Sequence, residues 1–152
     1  MTKQIQHFEI NATTDAVLLF KVKHFVKSAQ QKNWQRADAI FVSMHKDSVI
    51  GYARLVPIEP KSYWLRGLFV SPAFRRQGVA LKLLKQIHQR LCAQQQSATI
   101  FCFPLAHLEQ LYRTLDYEDC LISDLPASLA MRFQQAQAEG KNWRLMRLKL
   151  GT

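Results

Sequence analysis

The sequence predicts an α/β (α+β) fold built on one mixed sheet of about seven strands, with helices on both faces. Short apolar runs bounded by turn residues alternate along the chain with longer stretches whose apolar residues recur at helical spacing. The 152 residues are an ordinary length for one domain, and 48% of them are hydrophobic, which suffices for one well-buried core. We therefore expect a single domain over residues 1–152.

Seven segments have the length and composition of strands. They are residues 4–10, 39–45, 49–57, 63–70, 99–103, 117–122 and 143–150. The short turn Lys46-Asp47-Ser48 predicts that the second and third strands form a hairpin, and Pro57 and Pro60 are expected to end the third. The fourth is apolar on both faces, so we expect it at the centre of the sheet and covered on both sides.

Four segments have helical periodicity. They are residues 14–30, with Thr13 or Thr14 as the cap, then 78–94, 105–115 and 126–139. The last carries the apolar stripe Leu129, Phe133 and Ala136, and Gly140 is suited to end it.

The composition limits the class of partner. A formal net charge of +10 favours polyanions, such as a nucleic acid, an anionic membrane or a phosphorylated cofactor. The charge is dispersed without a dense basic tail, which weighs against nucleic acid. The sequence contains no bilayer-spanning apolar run and no signal-peptide pattern, so we expect a cytoplasmic protein without a membrane partner. Cys92, Cys102 and Cys120 form no CxxC pair, which predicts neither a metal site nor a disulfide framework.

The turn between the fourth strand and the second helix is the most informative segment. It contains Arg75, Arg76 and Gly78 directly before an amphipathic helix. The first amides of a helix have no partner within it, and its dipole favours an anion there. Gly78 allows close approach of a ligand to the backbone, and the arginines can add charge-assisted hydrogen bonds. These residues predict a site for a phosphate-bearing cofactor; the alternative is a solvated turn beside a helix.

The same residues resemble the GNAT superfamily of N-acetyltransferases. Its signature, Arg/Gln-x-x-Gly-x-Gly/Ala, is similar to Arg75-Arg76-Gln77-Gly78-Val79-Ala80, and the approach Leu68-Phe69-Val70-Ser71-Pro72 is similar to its hydrophobic run ending in Val-x-Pro. The family's Phe-Tyr-x-x-x-Gly-Phe is similar to Leu111-Tyr112-Arg113-Thr114-Leu115-Asp116-Tyr117, with aspartate in place of the glycine. Leu105 stands where the family often has an asparagine.

The resemblance implies a mostly antiparallel sheet and transfer of an acetyl group from acetyl-CoA to the primary amine of a small molecule or peptide. The cofactor-binding residues that it implies are Leu68, Phe69 and Val70 for the pantetheine arm, and Arg75, Arg76, Gln77, Gly78, Val79 and Ala80 for the diphosphate. It also implies a backbone N–H near Leu68 as donor to the oxyanion and Tyr112 as the acid for the departing thiolate. Gly67 is a natural place for a bulge or for close backbone approach.

Several alternatives stay open at this stage. Tyr112 can instead be a core aromatic, and the base that deprotonates the amine is not identified. A non-catalytic acyl-CoA-binding module would share every cofactor residue but would not need Tyr112. A basic nucleic-acid-binding domain is the remaining rival, although no nucleic-acid motif is present. We expect a monomer or a homodimer that needs no metal.

Overall fold

The computed structural model describes residues 4–11, 14–32, 34–94 and 96–151. The strands in these residues are β1 (Ile5–Glu9), β2 (Ala39–His45), β3 (Ser48–Glu59), β4 (Ser62–Val70), β5 (Ala98–Cys102), β6 (Glu118–Asp119) and β7 (Met146–Leu150). The α-helices in them are α1 (Ala16–Ser28), α2 (Val79–Cys92), α3 (Glu109–Thr114) and α4 (Ala127–Ala138).

The strands form one seven-stranded sheet in the order β1-β2-β3-β4-β5-β7-β6. β4 and β5 are parallel, whereas β1–β2, β2–β3, β5–β7 and β6–β7 are antiparallel. The last strand of the chain lies between β5 and β6, so the sheet cannot be a simple meander. The prediction of a mostly antiparallel sheet with β4 at its centre is confirmed.

The predicted elements are present, but several bounds differ. β6 covers only Glu118–Asp119 rather than residues 117–122, and α3 begins at Glu109 after a short 3-10 turn rather than at residue 105. β2 has the predicted bounds, but β3 continues to Glu59, so the prediction that Pro57 ends it is wrong. Proline lacks an N–H donor, but its φ fits extended backbone wherever that donor is not needed. β7 begins at Met146 rather than at Trp143, which forms an isolated bridge with Leu105 instead.

The cap of α1 differs from the prediction. Asp15 is the N-cap, and its Oδ1 accepts a hydrogen bond of 2.6 Å from the N–H of Val17. The Oγ1 of Thr14 accepts from the N–H of Asn11 at 2.9 Å, one turn earlier, and therefore does not cap the helix. Thr13 lies outside the described residues. The carboxylate of an aspartate accepts hydrogen bonds from the unpaired N–H groups of the first helical turn as well as a threonine hydroxyl does.

The chain divides into two compact units, one of Met1–Val56 and Arg66–Arg90 and the other of Pro57–Leu65 and Leu91–Thr152. In the first, Val22 and Val26 of α1 pack against Ile40, Val42 and Tyr52. A Cβ added at Gly51, the neighbour of Tyr52, would lie 3.2 Å from Leu83 of α2. Successive strand residues point to opposite faces, so α1 and α2 cover opposite faces of this part of the sheet.

The second unit has its own core. α4 buries Leu129, Phe133 and Ala136, as predicted. Gly140 has φ +80°, the left-handed conformation with which many helices end. No helix in the described part of the chain has the length and apolar composition that a membrane span requires. The expectation of a single domain stays a prediction.

Candidate functional site

The turn between β4 and α2 is shaped by two left-handed residues. Val70 ends β4, the N–H of Ser71 donates to the carbonyl of Ile50 at 2.8 Å, and a short 3-10 turn covers Pro72–Phe74. Arg76 has φ +64° and Gly78 has φ +78°. An arginine in this conformation is uncommon, whereas glycine adopts it at no steric cost.

The turn presents the start of α2 to solvent. The N–H of Lys82 donates to the carbonyl of Gly78 at 3.0 Å, so the amides of Val79, Ala80 and Leu81 precede the helical ladder. A Cβ added at Gly78 would meet no described atom within 4 Å. Open space beside unpaired amides at the positive end of a helix dipole is what an anionic ligand requires.

The two arginines of the turn have different surroundings. The Nε of Arg75 donates to the carbonyl of Val70 at 2.9 Å, and its guanidinium carbon lies 5.3 Å from the ring centroid of Phe69. Arg75 therefore holds the end of β4 through a hydrogen bond and a cation–π contact. Arg76 is exposed and has no hydrogen-bond or ion-pair partner among the described residues. Arg76 is the arginine that is available to a ligand.

Leu68 and Phe69, near the end of β4, are less covered than its middle. Within the described residues the ladder between β4 and β5 covers Ser62–Leu65. Leu68 and Phe69 are half-buried, so the predicted cover on both sides holds at Trp64 and Leu65 but not here. The ring of Phe69 packs 5.7 Å from that of Phe25 on α1. The backbone of Leu68 and Phe69 thus lies beyond the parallel ladder, as a strand-like ligand would need.

Gly67 brings the backbone of β4 close to β3. Its φ is +72°, and a Cβ added there would lie 3.2 Å from Cε1 of Tyr52. The prediction of close backbone approach at Gly67 is confirmed by this geometry, and the absent side chain is necessary for it.

Replacing Gly67 with alanine is expected to lower the free energy of unfolding by roughly 2–3 kcal/mol, because left-handed strain and crowding add. Gly140→Ala is the matched control. Its φ is also positive but its Cβ would meet no described atom within 4 Å, so we expect a loss of only about 1 kcal/mol. Urea unfolding of both variants measures the difference, and equal losses would contradict the crowding at Gly67.

Tyr112 lies on α3, in the second unit, and only 4% of its surface is exposed. The N–H of Asp116 donates to the carbonyl of Arg113 and that of Tyr117 to the carbonyl of Tyr112, at 3.0 and 3.1 Å. This pair of bonds is a Schellman motif, with Asp116 in the left-handed conformation at φ +69°. Asp116 thus adopts a left-handed backbone conformation that glycine adopts more readily, and both hydrogen bonds of the motif are formed despite the aspartate.

The surroundings of Tyr112 determine its protonation. Its ring meets that of Tyr117 edge to face at 5.2 Å. Burial, and to a smaller extent the nearby Cys102, raise the pKa of Tyr112 well above its ordinary value. The phenol is therefore protonated at neutral pH and available as a hydrogen-bond donor.

Sequence reasoning did not find a buried ion pair in the first unit. Nη1 of Arg54 lies 3.2 Å from Oδ2 of Asp38, and their side chains are 5% and 2% exposed. The same oxygen accepts from the N–H of Gln35 at 2.8 Å. Arg54 in an otherwise apolar strand was the available signal, but the sequence does not say which carboxylate pairs with it.

The described residues contain no group of three or more His, Cys, Asp or Glu placed to hold a metal ion.

The turn that follows β4 and the open start of α2 have the geometry with which α/β proteins present unpaired amides to an anion. A family model described as an acetyltransferase (GNAT) domain matches residues 36–119, more than half of the chain. The chain therefore belongs to the GNAT acetyltransferase family. No curated protein sequence matches it.

Three solved structures illustrate the likeness in fold. N-acetylglutamate synthase from Neisseria gonorrhoeae, complexed with coenzyme A and N-acetyl-glutamate, has a TM-score of 0.70 and 13% identity over 98% of this chain and 36% of that chain. An acetyltransferase of the GNAT family from Staphylococcus aureus Mu50 has a TM-score of 0.66 and 14% identity, covering 97% and 99%. An aminoglycoside 6'-N-acetyltransferase complexed with coenzyme A has a TM-score of 0.68 and 13% identity, covering 96% of each chain. This chain spans about a third of the length of the synthase.

Proposed function

We propose that this protein is an N-acetyltransferase that moves the acetyl group of acetyl-CoA to a primary amine of a small molecule or peptide. The observation that carries the proposal is the start of α2, where unpaired amides, the open space at Gly78 and exposed Arg76 lie together. The coenzyme A bound in two of the similar structures supports this choice of ligand, as does the net charge of +10.

In this proposal the diphosphate of the cofactor accepts hydrogen bonds from the amides of Gln77, Gly78, Val79 and Ala80. Arg76 adds a charge-assisted hydrogen bond, while Arg75 keeps the end of β4 in place through the carbonyl of Val70. The pantetheine arm then pairs with the backbone of Leu68, Phe69 and Val70, which lie beyond the ladder with β5.

The chemistry is a direct transfer. The nitrogen of the amine attacks the carbonyl carbon of the thioester, a C–N bond forms, and the C–S bond breaks with the electron pair leaving on sulfur. The backbone N–H of Leu68 is the proposed donor to the oxyanion, a role that preorganised amides perform well. The amine loses one proton to solvent or a base, and Tyr112 is the proposed hydrogen-bond and proton donor to the thiolate.

Replacing Arg76 with glutamate is expected to weaken acetyl-CoA binding about tenfold or more, because a charge-assisted hydrogen bond is lost and repulsion of the diphosphate replaces it. Titration calorimetry measures the dissociation constant. Lys85→Glu makes the same change of charge on the exposed side of α2 and is expected to alter the constant less than threefold at 0.15 M salt.

Equal losses in Arg76→Glu and Lys85→Glu would mean that only overall charge matters and would contradict a localised diphosphate site. An assay of coenzyme A release over a panel of amines separates the enzyme from a non-catalytic acyl-CoA-binding module. Tight binding without transfer to any amine would favour the module.

A further inference from the structure

Helix α1 presents two large apolar side chains to solvent. Val17 is 64% exposed and Phe20 is 71% exposed. They are three residues apart and therefore share one face of the helix, on which His24 follows one turn later. The residues of α1 that build the core, Val22 and Val26, lie on the other side. Neighbouring exposed apolar residues of this kind mark interaction surfaces.

A groove lies beside Phe20, between α1 and the turn that joins β2 to β3. Its volume is about 340 Å³, and its walls include Phe20, His24 and Phe25 of α1 and Ser48 and Val49 of β3. All of these residues belong to the first unit. Two aromatic rings with polar groups around them form the kind of concave site that takes one large apolar side chain of a partner.

The cations of α1 are not paired with carboxylates. The helix contains Lys21, Lys23 and Lys27 and no aspartate or glutamate. In the described part of the chain, no ion pair joins any of the three to a carboxylate. Nζ of Lys21 donates instead to the backbone carbonyl of Asp47 at 3.1 Å, at the rim of the groove. Asp47 is the acidic residue of this rim, and three lysines outweigh it, so the surface attracts negative charge.

We propose that this face of α1, together with the groove, is a docking surface for an acidic polypeptide segment. One large apolar side chain of the segment occupies the groove against Phe20 and Phe25, and carboxylates beside it accept hydrogen bonds from Lys21 and Lys27. Charge complementarity selects an acidic partner, and the groove favours a side-chain anchor over the flat surface of an anionic membrane. The inference goes beyond acetyl transfer and does not depend on the proposed function.

The test measures binding of a fluorescently labelled, end-blocked peptide, Glu-Asp-Trp-Asp-Glu, to the whole chain by fluorescence anisotropy. Phe20→Ser is expected to weaken binding about tenfold, because the tryptophan loses the ring against which it packs. Lys21→Glu is expected to weaken it about tenfold, because repulsion replaces a charge-assisted hydrogen bond. Two altered peptides, one with serine for tryptophan and one with glutamine and asparagine for the acidic residues, should each bind about tenfold more weakly.

Met131→Ser and Lys85→Glu are the matched controls. Met131 is 70% exposed on α4, in the second unit, and Lys85 is exposed on α2. Neither change should alter the affinity for the peptide by more than about twofold, because charges and apolar groups away from the groove act weakly at physiological salt. All four variants should melt as the unaltered protein does, because none of the four side chains is buried.

Absence of binding by the acidic peptide would overturn the inference. So would equal affinity for the uncharged peptide, equal affinity for the peptide without tryptophan, or equal losses in the control variants. If the peptide failed to bind while phosphatidylglycerol vesicles bound in a manner that Phe20→Ser and Lys21→Glu abolish, the face would be a membrane contact instead.

Discussion

Replacing Tyr112 with phenylalanine is expected to lower kcat for acetyl transfer about 100-fold, at the lower end of what a positioned proton donor contributes. The change removes only the hydroxyl, so the edge-to-face contact with Tyr117 is kept and the stability of α3 should hardly change. A phenol has an ordinary pKa of about 10 and a thiol of about 8.5, and burial raises that of Tyr112 further. The hydroxyl should therefore act mainly by donating a hydrogen bond to the thiolate as the C–S bond breaks.

The matched control is Tyr117→Phe, which removes the hydroxyl from the other ring of the same pair. Turnover of acetyl-CoA with the best acceptor of an amine panel is compared for the two variants, and acetyl-CoA affinity is measured alongside. A kcat within twofold of the unaltered protein in Tyr112→Phe would refute the catalytic role and leave a core aromatic. Equal losses in both variants would point to general disturbance of the core.

Replacing Arg54 with methionine is expected to lower the free energy of unfolding by about 3–5 kcal/mol. The variant would leave the carboxylate of Asp38 buried, 2% exposed, without the guanidinium that lies 3.2 Å from it. An isolated charge in a protein interior costs far more than a lost surface contact. The loss is measured by urea unfolding.

The exposed pair between Lys141 and Glu139 provides the comparison. Nζ of Lys141 lies 3.6 Å from Oε2 of Glu139, and both side chains are 50% exposed. Lys141→Met should therefore lower the free energy of unfolding by less than about 1 kcal/mol. The double variant Arg54→Met with Asp38→Leu should recover part of the stability, because no charge is then left unpaired. If Arg54→Met alone were as stable as the double variant, the unpaired carboxylate of Asp38 would not be the cause of the loss.

Much of the fold could be predicted because it depends on local patterns. The apolar run of β2 has the predicted bounds, and the stripe Leu129, Phe133 and Ala136 is the buried face of α4. The turn after β4 was recognisable because two arginines and a glycine stand together between an apolar run and an amphipathic helix.

The rest depends on contacts that no local pattern specifies. Arg54 and Asp38 are 16 residues apart, and their pairing follows from the packing of β3 rather than from spacing. The left-handed backbone at Arg76 and Asp116 could not be inferred either, since neither residue type favours it as glycine does. That Gly67 approaches the ring of Tyr52 likewise becomes visible only when β3 and β4 lie side by side.

In the proposed function the first amides of α2 bind the diphosphate of the cofactor. Amide chemical shifts from ¹⁵N-labelled protein test it most directly. Addition of coenzyme A should shift the N–H signals of Gly78, Val79 and Ala80 strongly, whereas pantetheine, which lacks the diphosphate, should leave them nearly unchanged. Signals that stay in place with coenzyme A, or that move equally with pantetheine, would contradict a diphosphate site at the start of α2.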